Sequence, residues 1–349
     1  MRNQPLPKFL KWEFWPYWLF YIPVYFLIII HAIRSRSLAY FTLADPGMRM
    51  GGLSSYSKYH ILQQLHKKYL PQTILFEHLP TAEEIISSMN STGIFFPVIL
   101  KPDEGERGWK VEKICGENDI SEYLLNAPEK IILQEYIALP EEYGVMYFRL
   151  PSRKSGTISS LMKRQFLTVT GDGKSELIEL INHDERCIHH LPRLLKKFHN
   201  ELKLVLSAGE KKVLEEIGNH NRGTTFLNEN EMICDELIHS FNEAASTLHE
   251  WYFGRFDVRT LSYTEMLKGN FKVIEVNGVN SEPAHIYDPH RSIIKAYRDL
   301  FLHWDIIFKI SRENRRRGFK PFKTTEMIRL IREHLKLKKS IRIMHKYPQ

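Results

Sequence analysis

The chain has 349 residues, 43% hydrophobic and 26% charged, with 49 Lys+Arg against 41 Asp+Glu and a net charge of +8. This balance excludes a wholly disordered protein and leaves room for about two domains. Its three cysteines (Cys115, Cys187, Cys234) are odd in number and share no metal-ligand spacing, which excludes a disulfide framework or a zinc site and fits a reducing compartment.

In chain order, the first feature is Phe14 to Ile33, twenty residues without Asp, Glu, Lys or Arg. As a helix this stretch reaches about 30 Å, one bilayer core. Trp12, Trp15, Tyr17 and Trp18 crowd one end, and Arg34 and Arg36 close the other, a flanking pattern suited to headgroups. A cleaved signal peptide and a buried core helix compete with a membrane segment, which is the favoured reading. Pro16 and Pro23 leave open whether it crosses the bilayer or lies in it. Residues 38–57, with Asp-Pro-Gly and Gly-Gly, read as a loop leading from membrane to body. Tyr59 to Tyr69 has helical periodicity. Ile94 to Lys101, Lys110 to Ile114 and Ile131 to Ile137 read as strands, Ser121 to Leu125 as helix. Gly144 to Leu150 and Gly156 to Arg164 read as paired strands, residues 183–217 as polar and helix-prone, and Met232 to Tyr252 as one amphipathic helix. Phe256 to Leu261 and Phe271 to Val276 form a hairpin around Lys268-Gly269-Asn270, and Ile293 to Ile310 is a helix. The final segment, 309–349, holds fourteen Lys/Arg and three Asp/Glu, so it carries +11 and the remainder −3. A tail of that sign suits anionic lipid; nucleic acid is the weaker partner, because the tail lacks a reading module and has few aromatics. Strands and helices without regular βαβ alternation give an α+β protein.

Two segments carry chemistry. In FGRFDVR (253–259) and KVIEVNG (272–278), a hairpin turns Asp257, Glu275 and Asn277 toward one face. Two carboxylates and an amide oxygen suit Mg²⁺; the plain alternative is a solvated carboxylate pair. The apolar neighbours Phe256, Val258, Val273 and Val276 favour a cation, since an inward carboxylate there needs one. In FPVILKPDEGERGWKV (96–111) a strand delivers Lys101, and Gly105 and Gly108 frame a turn whose amides can cradle phosphate; alone, an ordinary turn explains it. ILQEYI (132–137) ends a strand on Glu135.

The order Lys58, Lys101, glycine loop, Glu135, Lys163, Arg255-x-Asp257, Glu275-x-Asn277 resembles the ATP-grasp superfamily. It looks most like the D-alanine–D-alanine ligase branch and its carboxylate–amine ligase relatives, over roughly residues 56–290. The resemblance implies that Lys58 and Lys101 touch phosphate and that Gly105 and Gly108 close over the triphosphate. It further implies that Glu135, Tyr136 and Ile137 read adenine with backbone groups, that Glu142 takes the ribose hydroxyls, and that Lys163 lies near the nucleotide. Asp257, Glu275 and Asn277 correspond to the ligands of Mg²⁺ (or Mn²⁺), and Arg255 to the arginine that stabilises the acyl-phosphate and tetrahedral intermediate. TVTGDGKSELIEL (168–180) is similar to an element of peptide-forming ligases such as cyanophycin synthetase. GNHNRGTTF (218–226) offers Arg222 and His220 as a substrate or anion loop, with a surface turn as the alternative.

The expectation is therefore an ATP-grasp fold, two α+β subdomains clasping ATP, with an N-terminal hydrophobic helix and a basic helical tail. The expected division is a membrane-associated segment at 1–37, a linker and reduced N-terminal subdomain at 38–95, a small subdomain at 96–140, a large one at 141–308 and the tail at 309–349. The usual N-terminal substrate domain of such ligases is missing or shrunken, so D-alanine recognition does not carry over. The expected activity is Mg-ATP-dependent joining of a carboxylate, activated as acyl-phosphate, to an amine. Its place is the membrane surface, with the catalytic part facing the cytoplasm and a lipid-linked substrate in view. A kinase-like or regulatory ATP-binding scaffold is the alternative.

Overall fold

The computed structural model describes Trp12 and residues 15–105, 108–218 and 222–333. Strands β1 (Thr73–Phe76), β2 (Val98–Pro102), β3 (Glu112–Ile114) and β4 (Ile131–Glu135) form an antiparallel sheet of order β1-β4-β2-β3. Strands β5 (Glu141–Phe148) and β6 (Thr157–Gln165) lead into a small insertion with its own hairpin, β7 (Thr168–Thr170) and β8 (Lys211–Val213). Strands β9 (Thr225–Asn228), β10 (Phe253–Thr260) and β11 (Phe271–Asn277) complete a five-stranded antiparallel sheet of order β11-β10-β5-β6-β9. The protein is thus α+β with antiparallel sheets.

Period-2 alternation gives each sheet a helix-covered face and a face toward the other sheet. In the small sheet Val98, Leu100, Ile131 and Leu133 are fully buried in a core with Ile85 and Met89, and with Ile120 and Tyr123. The first pair belongs to α4 (Ala82–Thr92), the second to α5 (Glu117–Leu124). The α4 start is fixed by a capping box, with Thr81 Oγ1 accepting from Glu84 N–H and Glu84 accepting from Thr81 N–H. In the large sheet Tyr143, Val145, Tyr147, Phe256 and Val258 pack on α9 (Asp235–Ala245) through Leu237, Phe241 and Ala244. The shorter helices are α1 (Tyr17–Phe20), α3 (Lys58–Leu62), α6 (Leu177–His183), α7 (Glu185–Ile188), α8 (Leu191–Lys197) and α10 (Tyr263–Leu267). The two long flanking helices are α2 (Ile22–Ser35) and α11 (Ile293–Arg316).

The N-terminal expectation needs correction. Among the described residues no helix is long and apolar enough to cross a membrane. The apolar stretch divides at Tyr21, and Pro23 at the start of α2 has no N–H to offer the preceding turn. The fourteen residues of α2 reach about 21 Å, short of the ~30 Å core. One face of the stretch is docked: Phe20, Tyr21 and Val24 are buried against Ala296 and Leu300 of α11, and His31 pairs with Asp305 at 2.8 Å. The loop expected at 38–57 is also core. Ala39, Tyr40, Leu43 and Ala44 are buried, and Asp45 Oδ1 accepts the N–H groups of Tyr252 and Phe253 at 2.8 and 2.9 Å, fixing the start of β10. Burial drives the Asp45 pKa well up, against the lowering effect of those two N–H groups.

The C-terminus differs too. Residues 309–316 are the end of α11 rather than a detached tail, and 324–333 are helical, with Ile310, Ser311, Asn314 and Met327 buried. Residues 334–349 lie outside the described ones. The hairpin of β10 and β11 forms, but α10 fills its connection, so the turn is longer than Lys268–Asn270.

Candidate active site

The facing surfaces of the two sheets enclose a cleft of about 550 Å³. On the large sheet Arg255 lies opposite Asn277 and Asp257 opposite Glu275, so all four share one face, as the spacing predicts. A bulge follows Asp257 and resets the register beyond the charged set. Gly144 lies across from Asp257 on β5. A Cβ at Gly144 would meet Met162 Cε at 2.8 Å and Arg255 Cδ at 3.2 Å, so this glycine makes room for the charged pair above it.

Asp257 is 2% exposed. Its Oδ1 accepts from Arg255 Nε at 2.7 Å, and its Oδ2 accepts from Arg255 Nη2 at 3.1 Å and Arg164 Nη2 at 3.0 Å. Burial works to raise its pKa, but Arg164 and Arg255 outweigh burial and hold it below the usual carboxylate value. Glu275 lies 3.5 Å from Lys58 Nζ. Asn277 Oδ1 accepts from Tyr56 O–H at 3.1 Å, and its Nδ2 is buried without a partner in the structure.

Lys101 reaches from the small sheet to the large one. Its Nζ donates to Gln134 Oε1 at 3.0 Å and to the Ile274 carbonyl at 3.1 Å. Burial lowers its pKa to about 8, with Glu275 opposing and Lys58 adding to the fall. Lys58 enters at the first turn of α3, which Ser57 caps, and donates to the Gly105 carbonyl. Gly105 and Gly108 line the cleft; 106–107 lie outside the described residues. Glu135, Tyr136 and Ile137 line it as well, beside the apolar side chains of Ile99, Val111, Ile217 and Phe226.

Three placements depart from expectation. Glu142 lines the cleft, but its carboxylate is held between Arg164 and Arg259: it pairs with Arg164 on β6 and accepts from Arg259 Nε at 3.0 Å. Lys163 is not a cleft residue; it pairs with Glu141 and lies over the Tyr143 ring, while its neighbour Arg164 faces the cleft. Arg222 donates to the Val111 carbonyl at 3.2 Å and does not line the cleft. His220 lies outside the described residues. Gly171-Asp172-Gly173 forms a local turn, with Asp172 accepting from the N–H groups of Lys174 and Ser175. These bonds, led by that of Ser175, hold its pKa at about 2.

Sequence reasoning missed Arg164, Arg259 and Gln134. Arg259 donates to the Ile137 carbonyl at 3.1 Å and the Glu216 carbonyl at 2.9 Å, clamping the segment after β4. Its signal was present: Arg259 continues the alternation Arg255, Asp257 along β10. Six basic side chains (Lys58, Lys101, Lys113, Arg164, Arg255, Arg259) face six acidic ones (Glu135, Glu142, Glu216, Asp257, Glu275, Glu282) in this cleft. A dense charge set on two apposed sheets suits an anionic ligand that redistributes existing ion pairs.

A second polar line, Ser160–His285–Asp299, has a Ser-His-Asp composition, yet all three are buried and none lines the cleft. It ties the 284–287 turn to the sheet, which leaves Ala284 and Tyr287 facing the cleft.

No family model and no curated protein matches the chain. Among solved structures, similar chains include the VanG D-Ala:D-Ser ligase from Enterococcus faecalis, at 12% identity over 73% of this chain and 61% of that one, TM-score 0.40. Another is a D-alanine–D-alanine ligase from Bacillus anthracis, at 14% identity over 75% and 69%, TM-score 0.41. A third is a bifunctional glutathione synthetase from Pasteurella multocida, at 18% identity over 72% and 38%, TM-score 0.34. This chain spans 61% of the length of the VanG ligase.

Proposed function

We propose that this protein is a Mg-ATP-dependent carboxylate–amine ligase of ATP-grasp type that works at a membrane surface. The observation that carries the reading is the single face formed by Arg255, Asp257, Glu275 and Asn277, with Lys101 reaching it from the opposite sheet. In this reading the nucleotide base lies in the apolar slot beside Tyr136 and Ile137, its polar edge met by backbone groups of 135–137. Lys58, Lys101 and the amides around Gly105 and Gly108 hold phosphate. A carboxylate oxygen attacks the terminal phosphoryl group, ADP leaves, and an amine then displaces phosphate from the acyl-phosphate to give the amide. Arg255 holds the oxyanion at the acyl carbon.

The donor set fits Mg²⁺: two carboxylates in direct register and an amide, all oxygen, in a cleft that offers room for phosphate oxygens. Asp257, Glu275 and Asn277 would hold the ion, which would supply charge neutralisation at the transferring group. Asp257 is already paired with two arginines. A polyphosphate gives those guanidinium groups a second anion, which frees a carboxylate oxygen.

The membrane part of the proposal draws on the outer face of α1 and α2. Trp18, Ile22, Phe26, Ile29, Ile30 and Ile33 are exposed on one helical stripe, Phe26 at 66% and Ile33 at 72%. Exposed Arg34 and Arg36 border its C-terminal end, and Lys309, Arg312 and Arg316 are exposed on α11. Arg34 and Arg312 both stack on Phe308, which brings the two helices' charges together. An apolar stripe beside a basic cluster is the pattern of a helix lying in the plane of an anionic bilayer. ATP and three free thiols suit the cytoplasmic side.

The deciding test is trapping. With ATP, Mg²⁺, a pool of carboxylates and hydroxylamine, a ligase yields hydroxamate and ADP in equal amounts. ADP without hydroxamate across the pool refutes the ligase reading. Sedimentation with vesicles of 70% phosphatidylcholine and 30% phosphatidylglycerol tests the membrane part; no binding at low salt refutes it.

A further inference from the structure

We infer that one of the two reactants is an amphiphile whose apolar chain lodges in a second cavity behind the cleft; the inference rests on the ligase reading for what the polar end does. The second cavity, about 230 Å³, lies between α2 and α11. Its walls are Tyr25 and Ile28 of α2, Leu300, Trp304 and Ile307 of α11, and Phe253 of β10. Tyr17, Asn280 and Ser281 line both this cavity and the cleft, so the two spaces meet at that wall. The cleft side of the wall is aromatic as well, with Trp15, Phe20 and Tyr287 beside Glu282.

Two of the polar side chains bordering the cavity are engaged. His303 shares Nε2 with the Ser159 hydroxyl at 2.9 Å and donates Nδ1–H to the Asp299 carbonyl at 2.6 Å. Ser281 Oγ donates to the Gly278 carbonyl at 2.6 Å. A mainly apolar lining favours an apolar group over water; an apolar cavity of ~150 Å³ takes a benzene ring. The pocket opens to the surface, so an apolar chain can enter it, and its shared wall with the cleft gives it a use. By proportion to benzene it accepts about nine carbons. The polar head of such a molecule then lies at Asn280 and Ser281, on the cleft side, toward Arg255, whose Nη1 reaches the Glu282 carbonyl at 3.4 Å. The chain has two sources, a lipid acyl group or the side chain of an apolar amino acid or peptide.

The test uses the full-length protein and two probe series: straight-chain carboxylates from acetate to dodecanoate, and glycine, alanine, leucine and phenylalanine. Binding is read without ATP by displacement of 11-bromoundecanoate, whose bromine quenches Trp304; the Trp304→Phe protein identifies that part of the signal. The expected result is affinity that rises up to fourfold per added methylene and levels near nine carbons. Leu53 lines the cavity as Ile28 does, so Ile28→Trp and Leu53→Trp, two independent ways of filling it, should flatten the rise tenfold or more at decanoate and leave ATP affinity unchanged. A series in which only the amino acids gain with side-chain size assigns the chain to that source; a gain only along the alkyl series assigns it to lipid. Affinity independent of chain length in both series overturns the inference. So does chain-dependent binding that survives both tryptophan variants and is lost in Phe26→Ser, because the chain then lies on the outer face of α2. Hydroxamate formation is measured separately: its absence with intact chain-dependent quenching removes the ligase reading and leaves the cavity assignment standing.

Discussion

Acidification should unfold this protein partly through one histidine. His303 is 3% exposed, and its two ring nitrogens fix a neutral tautomer: Nδ1 must donate to the Asp299 carbonyl, so Nε2 accepts from Ser159. Burial lowers its pKa from 6.5 to about 4, with nearby His285 adding to the fall and the Asp299 carbonyl and carboxylate opposing. The unfolded chain takes up its proton near pH 6.5 and the folded one only near 4, so stability is lost as the pH is lowered through that window. At about 1.4 kcal/mol per pH unit, the loss is roughly 1 kcal/mol at pH 5.5 and 2 to 3 kcal/mol at pH 4.5. Urea unfolding followed by tryptophan fluorescence at pH 7.5, 6.5, 5.5 and 4.5 measures it. The comparison is His303→Gln, which keeps an amide near Ser159 and does not titrate. His285, itself lowered by burial, contributes equally to both proteins, and Asp299, held at about 2 against burial by His285 and Arg291, titrates below the window. The variant should therefore lose less stability than the wild type by the amount above. Parallel stability curves would refute the reasoning.

Asp257→Asn and Glu275→Gln should each abolish Mg-ATP turnover while the circular dichroism spectrum stays native; near-normal turnover in both would remove the site assignment. Lys101→Met should weaken ATP binding by tenfold or more, as loss of a charge-assisted hydrogen bond requires, and calorimetric titration giving an unchanged Kd would place phosphate elsewhere. Gly254→Ala should destabilise by roughly 1–3 kcal/mol or more, since a Cβ there would lie 1.8 Å from the Asn277 carbonyl oxygen; an unchanged Tm would contradict that packing.

A truncation of the N-terminal segment would not be a clean test of its role. Phe20, Tyr21, Val24, Ala39, Tyr40, Phe41 and Ala44 belong to the core clusters that hold α11, so removing residues 1–40 would take out part of the fold rather than an appendage. A role for the N-terminal segment at a membrane is better probed by Phe26→Ser and Ile30→Ser, which change only exposed side chains.

Several features follow from local sequence alone. Alternation with period 2 puts Arg255, Asp257, Glu275 and Asn277 on one face of a hairpin, because successive strand residues point to opposite sides whatever surrounds them. The same rule places Lys101 opposite the core residues Val98 and Leu100. Thr81 and Glu84 already announce the start of α4, a signal left unread in the sequence. Other features depend on partners far along the chain. Arg164 rather than Lys163 faces the cleft because β6 pairs with β5 so that Arg164 lies opposite Glu142, a cleft residue, and Lys163 opposite Tyr143, a core residue; a slip of one residue would exchange the two faces. The hydropathy of Phe14 to Ile33 measures apolar length but not what covers it; α11, nearly three hundred residues later, buries one side and leaves the other exposed. Composition fixes how much charge a segment carries, not where the fold puts it. The +11 of the C-terminal segment is fixed by composition, whereas the position of Arg312 beside Arg34, both over Phe308 at the end of an apolar stripe, exists only once α2 packs on α11.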